Sequence, residues 1–296
     1  MFQDIQIFGF RALWSPYFML FIVGLAVAYY FLFINRKDEK KADNKQILYF
    51  YSGILLLYII KGAPVDLLSH IMFTAHMVQM ALYYLLFPIL IIKGIPVWVW
   101  EKVFNMPVVG AILRILTKPL VALLLFNGLF SMYHIPVVFD YAKANEIAHT
   151  SITLTILVAA FIVWWPIFSP IKELDKMPPL LKLGYIIANG ILITPACALI
   201  IFATGTIYST YSASGPWMQA MALCVPSDVL SSLSLSGPEM FSPLSILEDQ
   251  QLGGIVMKIT QEIIYGAILA RIFFPWFRSG ADTVDPLPPN HQTEQI

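Results

Sequence analysis

Seven stretches of about twenty residues run almost without charge, and each is long enough to cross a bilayer as a helix. They cover approximately 15–34, 46–63, 69–92, 119–134, 148–168, 183–203 and 252–274. Every backbone N–H and C=O inside lipid must find its partner within the protein, so such stretches admit only helices or a closed barrel. Runs of this length exclude the short alternating strands of a barrel. Only 12% of the 296 residues are charged and 58% are hydrophobic, where a soluble domain carries about a quarter charged. The expected fold is therefore all-α, a polytopic seven-transmembrane-helix bundle filling 1–278, followed by a polar, proline-rich tail over 279–296 with a disordered composition.

Basic residues orient the bundle. The segments after the first, third and fifth spans, with the end of the seventh, hold 14 of the 18 Lys and Arg. The loop from 204 to 251 holds none. The basic side is expected to be cytoplasmic, with the N-terminus outside and the C-terminus inside. The beginning of the chain lacks a basic n-region and a small-residue cleavage site, and reads as uncleaved. Zero net charge gives no reason to expect a nucleic-acid partner. Cys197 and Cys224 are too few and too far apart for a disulfide framework.

On that topology the polar residues are not scattered. His70 and His76 lie in the outer third of the third span, His134 where the fourth leaves, His149 where the fifth enters, and Asp249 and Gln250 where the seventh enters. Ionisable groups at membrane depth are functional candidates. Helical spacing groups them into stripes. Met72, His76, Gln79, Met80 and Tyr83 share one face of the third span, and His70 points about 120° away from His76 on a 3.6-residue helix. Asn127, Ser131 and His134 share a face of the fourth span, Glu146, His149 and Thr153 of the fifth, and Asp249, Gly253, Met257 and Thr260 of the seventh. Imidazole with thioether favours copper, and imidazole with a carboxylate also suits zinc. The expected metal ligands are His76, Met80, His134, His149, Asp249 and His70. Gln79, Asp140, Glu146, Gln250 and Met257 are expected to orient or flank them. Each also has a plainer reading: an interfacial histidine, a methionine filling a gap, or an i, i+4 ion pair for Lys258 and Glu262. Trp164 and Trp165 read as an aromatic belt at the inner interface.

At these residues the chain resembles the CtaG family of cytochrome c oxidase assembly factors of Gram-positive bacteria. The resemblance rests on TAHMVQM around His76, MYHIPVVFDYA with His134 and Asp140, the following His149, WWPI at 164–167, and DQQLGGIVMK from Asp249. It covers nearly the whole chain. The family usually shows H-x-x-x-H at the first motif, and here Met80 takes the second position. The resemblance implies a multi-pass protein of the bacterial plasma membrane that binds copper, Cu(I) or Cu(II), and helps insert it into a haem–copper oxidase from the extracytoplasmic side. The implied partners are oxidase subunits and another extracytoplasmic copper chaperone. A homodimer is compatible with the sequence. The role is not enzymatic. The alternatives are a seven-span zinc hydrolase, with Asp249 or Glu146 as base, and a b-type cytochrome with axial histidines.

Overall fold

The computed structural model describes residues 4–38, 40–233, 235 and 237–281; the tail from 282 on, with His291, lies outside the described residues. The described residues form helices joined by loops, with no strand. Short helix α1 (Gly9–Trp14) precedes α2 (Pro16–Tyr29), and the two meet at Ser15, whose φ of 38° is left-handed. Next come α3 (Asn44–Lys61), α4 (Pro64–Ile71), α5 (Phe73–Ala81), α6 (Phe87–Gly94), α7 (Val97–Phe104), α8 (Pro107–Leu116) and α9 (Pro119–Tyr133). The second half holds α10 (Pro136–Ala144), α11 (Glu146–Phe168), α12 (Pro179–Ile201), the small helices α13 (Ser209–Ser212), α14 (Ser214–Met221) and α15 (Ser227–Ser232), and the long α16 (Ile246–Ala281).

Five helical segments are long and apolar enough to cross a membrane: Ile5–Ile34, Phe73–Gly94, Glu146–Phe168, Pro179–Ile201 and Ile246–Arg278. Two bent pairs bring the number to seven if each is one span. These are α3 with α4, bent by 42°, and α8 with α9, bent by 82°. Proline sits in the first turn of α4, α8 and α9, where its missing N–H costs nothing and its ring starts a new helix. α9 alone is 15 residues, about 22 Å at 1.5 Å per residue.

The third span departs from the continuous helix expected over 69–92. It breaks at Met72, which is extended (φ −125°, ψ 137°), so His70 closes α4 and His76 belongs to α5. The 120° offset between the two imidazoles does not apply across this break. Further on, a π-turn over Leu82–Leu86 shifts the register again. The Trp164–Trp165 belt is also corrected. Trp164 is wholly buried and donates its indole N–H to the Tyr84 carbonyl at 3.0 Å. Trp165 is 5% exposed and stacks on Phe104 at 4.6 Å. Both fill protein rather than face lipid, because α6, α7 and α12 close over this end of α11.

The main core lies among α5, α6, α9, α11, α12 and α16. α2 packs on α3 around a Tyr29–Phe50 stack at 3.8 Å. Gly94 lets α6 approach α3 so closely that an added Cβ would lie 2.6 Å from the Phe50 backbone nitrogen. Large apolar side chains such as Leu120, Leu124, Leu181 and Ile191 remain exposed on the flanks, as a multi-pass membrane protein requires.

Candidate metal-handling site

The break at Met72 builds the site. It frees the first N–H groups of α5, which have no partner within their own helix. Asp249, in the first turn of α16, takes two of them: its carboxylate accepts from Phe73 N at 2.7 Å and Thr74 N at 3.3 Å. The Thr74 hydroxyl donates back to the Asp249 carbonyl at 2.8 Å. Asp249 is thus the cap of a helix 175 residues away, and the negative charge sits at the positive end of the α5 dipole. This ties the first turn of α5, and with it His76 one turn on, to the start of α16.

His76 is wholly buried, and neither ring nitrogen has a partner. Its ring lies among Phe139 (5.2 Å, edge on), Phe73 (5.9 Å), Tyr133 (6.2 Å) and Tyr211 (6.4 Å). His134, at the end of α9, engages the Phe130 carbonyl through Nδ1 at 2.7 Å and leaves Nε2 unpartnered. It touches the same Phe139 and Tyr133 as His76. His70 engages the Asp66 carbonyl through Nδ1 at 2.9 Å, which leaves its Nε2 buried and free. Its ring centroid is 6.1 Å from that of His149, whose Nδ1 is also unpartnered. One metal ion about 2.0 Å from a nitrogen of each of two imidazoles sets their centroids about 6 Å apart. The separation of His70 and His149 meets that requirement, and burial of unsatisfied ring nitrogens is otherwise unfavourable. Among the described residues no three His, Cys, Asp or Glu side chains converge as a metal site. Two imidazoles at this separation are a ligand set more common for Cu(I) than for zinc, which takes three or four protein ligands.

Met80, one turn beyond His76 on α5, and Met257 are wholly buried, in the same core cluster as Phe73, Tyr133, Phe139 and Tyr211 around His76. Asp140 accepts from the backbone N and hydroxyl of both Ser209 and Thr210 at 2.7–3.0 Å, pinning α13 to α10. Gln250 accepts from Ile207 N at 2.8 Å and so ties the segment after α12 to α16. Glu146 is exposed in the first turn of α11. Asn127 donates to Asn189 at 2.7 Å, and Asn189 to the Tyr265 hydroxyl at 2.7 Å, a chain in the middle of the bundle. Gln79 does border the site: it donates to Asp66 at 2.7 Å, beside a Lys61–Asp66 ion pair at 3.6 Å.

Three groups were not anticipated. Lys143 of α10 is 1% exposed, with its ammonium 6.0 Å from the Tyr211 and Phe139 rings, within electrostatic reach of His70, His76 and His149. Burial pushes its pKa down to about 7, with Lys61 adding to the shift and Asp66 opposing it. Cys224, after α14, is a free thiol whose pKa burial raises, and it feels the charges of Asp66 and Lys143. The Tyr133 hydroxyl is buried with no partner. A signal for Lys143 existed: Arg11, Lys61, Lys143 and Lys258 are the four basic residues outside the 14 on the basic side, and two of them border the histidines.

No curated protein and no solved structure gives a significant match to the chain. A family model, described as cytochrome c oxidase caa3 assembly factor, matches residues 18–279. That match spans both bent pairs, the Met72 break and every histidine of the site, and the chain therefore belongs to the cytochrome c oxidase caa3 assembly factor (CtaG) family.

Proposed function

We propose that this multi-pass oxidase assembly factor receives copper at the outer end of its bundle and helps insert it into the oxidase. The observation that carries the reading is the set of five buried ring nitrogens without a partner, on His70, His76, His134 and His149, gathered at one end of the bundle. Copper is cargo here, not a resident cofactor. His70 and His149 hold it as Cu(I) between Nε2 and Nδ1. His76 and His134, further along the same aromatic wall, offer free nitrogens for ligand exchange. Few ligands suit a site that must let go. The basic ends of the helices lie on the other side of the membrane, so the histidines face the extracytoplasmic space, and oxidase subunits approach from there. Asp249 and Asp140 have their carboxylates engaged by backbone and hydroxyl donors. That occupies Asp249, one of the two carboxylates a zinc hydrolase would use as its base, while the other, Glu146, is exposed, and this weighs for a non-catalytic role.

The test is elemental analysis of protein purified from copper-replete cells. His70→Ala and His149→Ala are each expected to weaken copper binding by more than about 100-fold, beyond the 10–100-fold loss that follows removal of a group merely supporting a ligand. In a deletion strain the oxidase polypeptides should be inserted but copper-poor, and neither variant should restore copper. Wild-type copper in both variants, or a fully copper-loaded oxidase in the deletion strain without added copper, defeats the proposal.

A further inference from the structure

A second polar feature lies at the other end of the bundle. Trp165 is 16 residues beyond His149 on α11, about 24 Å along the helix. Here a cavity of about 790 Å³ opens between the α8–α9 corner, the last turns of α11 and the segment leading into α12. Its lining holds three cations, Arg114, Lys118 and Lys176, and no carboxylate. None of the three is in an ion pair among the described residues, and the nearby Asp175 is taken by Lys182 at 2.6 Å. Arg114 spends one guanidinium nitrogen on the Phe104 carbonyl at 3.1 Å and keeps its other donors.

Two further observations point to an anion. α9 and α12 both begin at this cavity, at Pro119 and Pro179, and neither has a side-chain cap, so two helix dipoles present uncapped positive ends. Trp165 lines the cavity with an indole N–H that is buried and lacks any acceptor, although a buried indole normally finds one. Apart from Thr117 and Tyr185, whose hydroxyls donate to the Leu113 and Val163 carbonyls, the rest of the lining is apolar, and it runs out through Leu181, which is 62% exposed, onto the apolar flank.

We propose that this cavity binds one anionic glycerophospholipid. Arg114, Lys118, Lys176 and the two helix ends hold its phosphate, Trp165 donates to a phosphate or ester oxygen, and the acyl chains leave along Leu181. Basic pockets between helices at the cytoplasmic surface bind anionic head groups in this way. A zwitterionic lipid carries its own cation and gains less from the three basic residues. The inference stands apart from the copper reading, and its failure leaves that reading untouched.

The experiment uses the full-length protein in detergent, titrated with phosphatidylglycerol whose acyl chains are brominated, with tryptophan fluorescence as the readout. Saturable quenching is expected, reduced by high salt. Combined Arg114→Ala, Lys118→Ala and Lys176→Ala, at side chains exposed enough to spare the fold, should weaken it about 100-fold. Trp165→Phe keeps the ring and removes the N–H; it should lower both amplitude and affinity, with bound copper unchanged. Equal quenching by brominated phosphatidylcholine would reduce the cavity to ordinary lipid contact and overturn the proposal. Displacement of the lipid by inorganic phosphate at comparable concentration would overturn it in favour of a soluble anion. Unchanged binding in the triple variant would overturn it as well.

Discussion

Asp249→Asn separates two roles that a carboxylate beside four histidines could play. As a cap, the carboxylate takes two N–H groups of α5 in a site where Asp249 is only 7% exposed. A hydrogen bond to a charged group contributes about 1.5–3 kcal/mol, and loss of a helix cap costs about 0.5–2 kcal/mol. Asparagine keeps one acceptor, loses the charge that faces the helix dipole, and turns an NH2 toward a backbone N–H. The expected loss is about 2 kcal/mol for Asp249→Asn and about 3 kcal/mol for Asp249→Ala, where both N–H groups are left bare. Three kcal/mol is about a 100-fold shift in equilibrium. The assay is thermal unfolding of purified protein in detergent, with copper content measured on the same samples. The cap reading predicts a lower midpoint for both variants, with copper falling only as far as the α5 terminus loosens. An unchanged midpoint together with complete loss of copper would refute the capping argument and make Asp249 a ligand.

Lys143→Met should raise the unfolding midpoint more at pH 6 than at pH 9. The folded pKa of Lys143 is about 7 against an ordinary 10.5; between these values the unfolded chain binds the extra proton, so wild-type stability rises with pH, and an equal gain at both pH values would count against the buried-cation assignment. Gly94→Ala should destabilise by about 1–3 kcal/mol, because the new Cβ meets the Phe50 backbone at 2.6 Å; Gly128→Ala, with nothing within 4 Å, should leave the midpoint unchanged or raise it slightly. Cysteines placed at Lys41 and Ser214, in a background lacking Cys197 and Cys224, should label from opposite sides of the membrane; labelling of both from one side removes the proposed orientation.

Much of the architecture was legible because lipid leaves a chain few choices. Apolar length marks the spans, though the helical segments overrun the apolar runs, by ten residues at the start of Ile5–Ile34 against 15–34 and by six and seven at the two ends of Ile246–Ala281 against 252–274. The breaks were harder. Nothing between 69 and 83 announces that the helix stops at Met72, since the group that makes stopping cheap is Asp249, near the other end of the chain. For the same reason a capping acid and a ligating acid look alike in sequence: Asp249 and Asp140 were grouped with the histidines by proximity, yet their oxygens go to backbone and hydroxyl donors. The histidines were grouped by expected depth alone, and the sequence could not place His70 beside His149, since periodicity cannot join α4 to α11. Trp165 shows the reverse error, where a residue type typical of an interface is covered by Trp100 and Phe104 of α7.

The Met72 break also has a consequence in time. A chain synthesised from its N-terminus places α4 and α5, with His70 and His76, in the membrane long before α16 exists. Until then the first turn of α5 has no acceptor for Phe73 N and Thr74 N, and the segment between the two histidines is free to straighten into one helix or to fray. The arrival of Asp249 selects the bent form. The placement of His76 relative to His70 is therefore fixed only once the last span has arrived, although His70, His76, His134 and His149 all precede it in the chain.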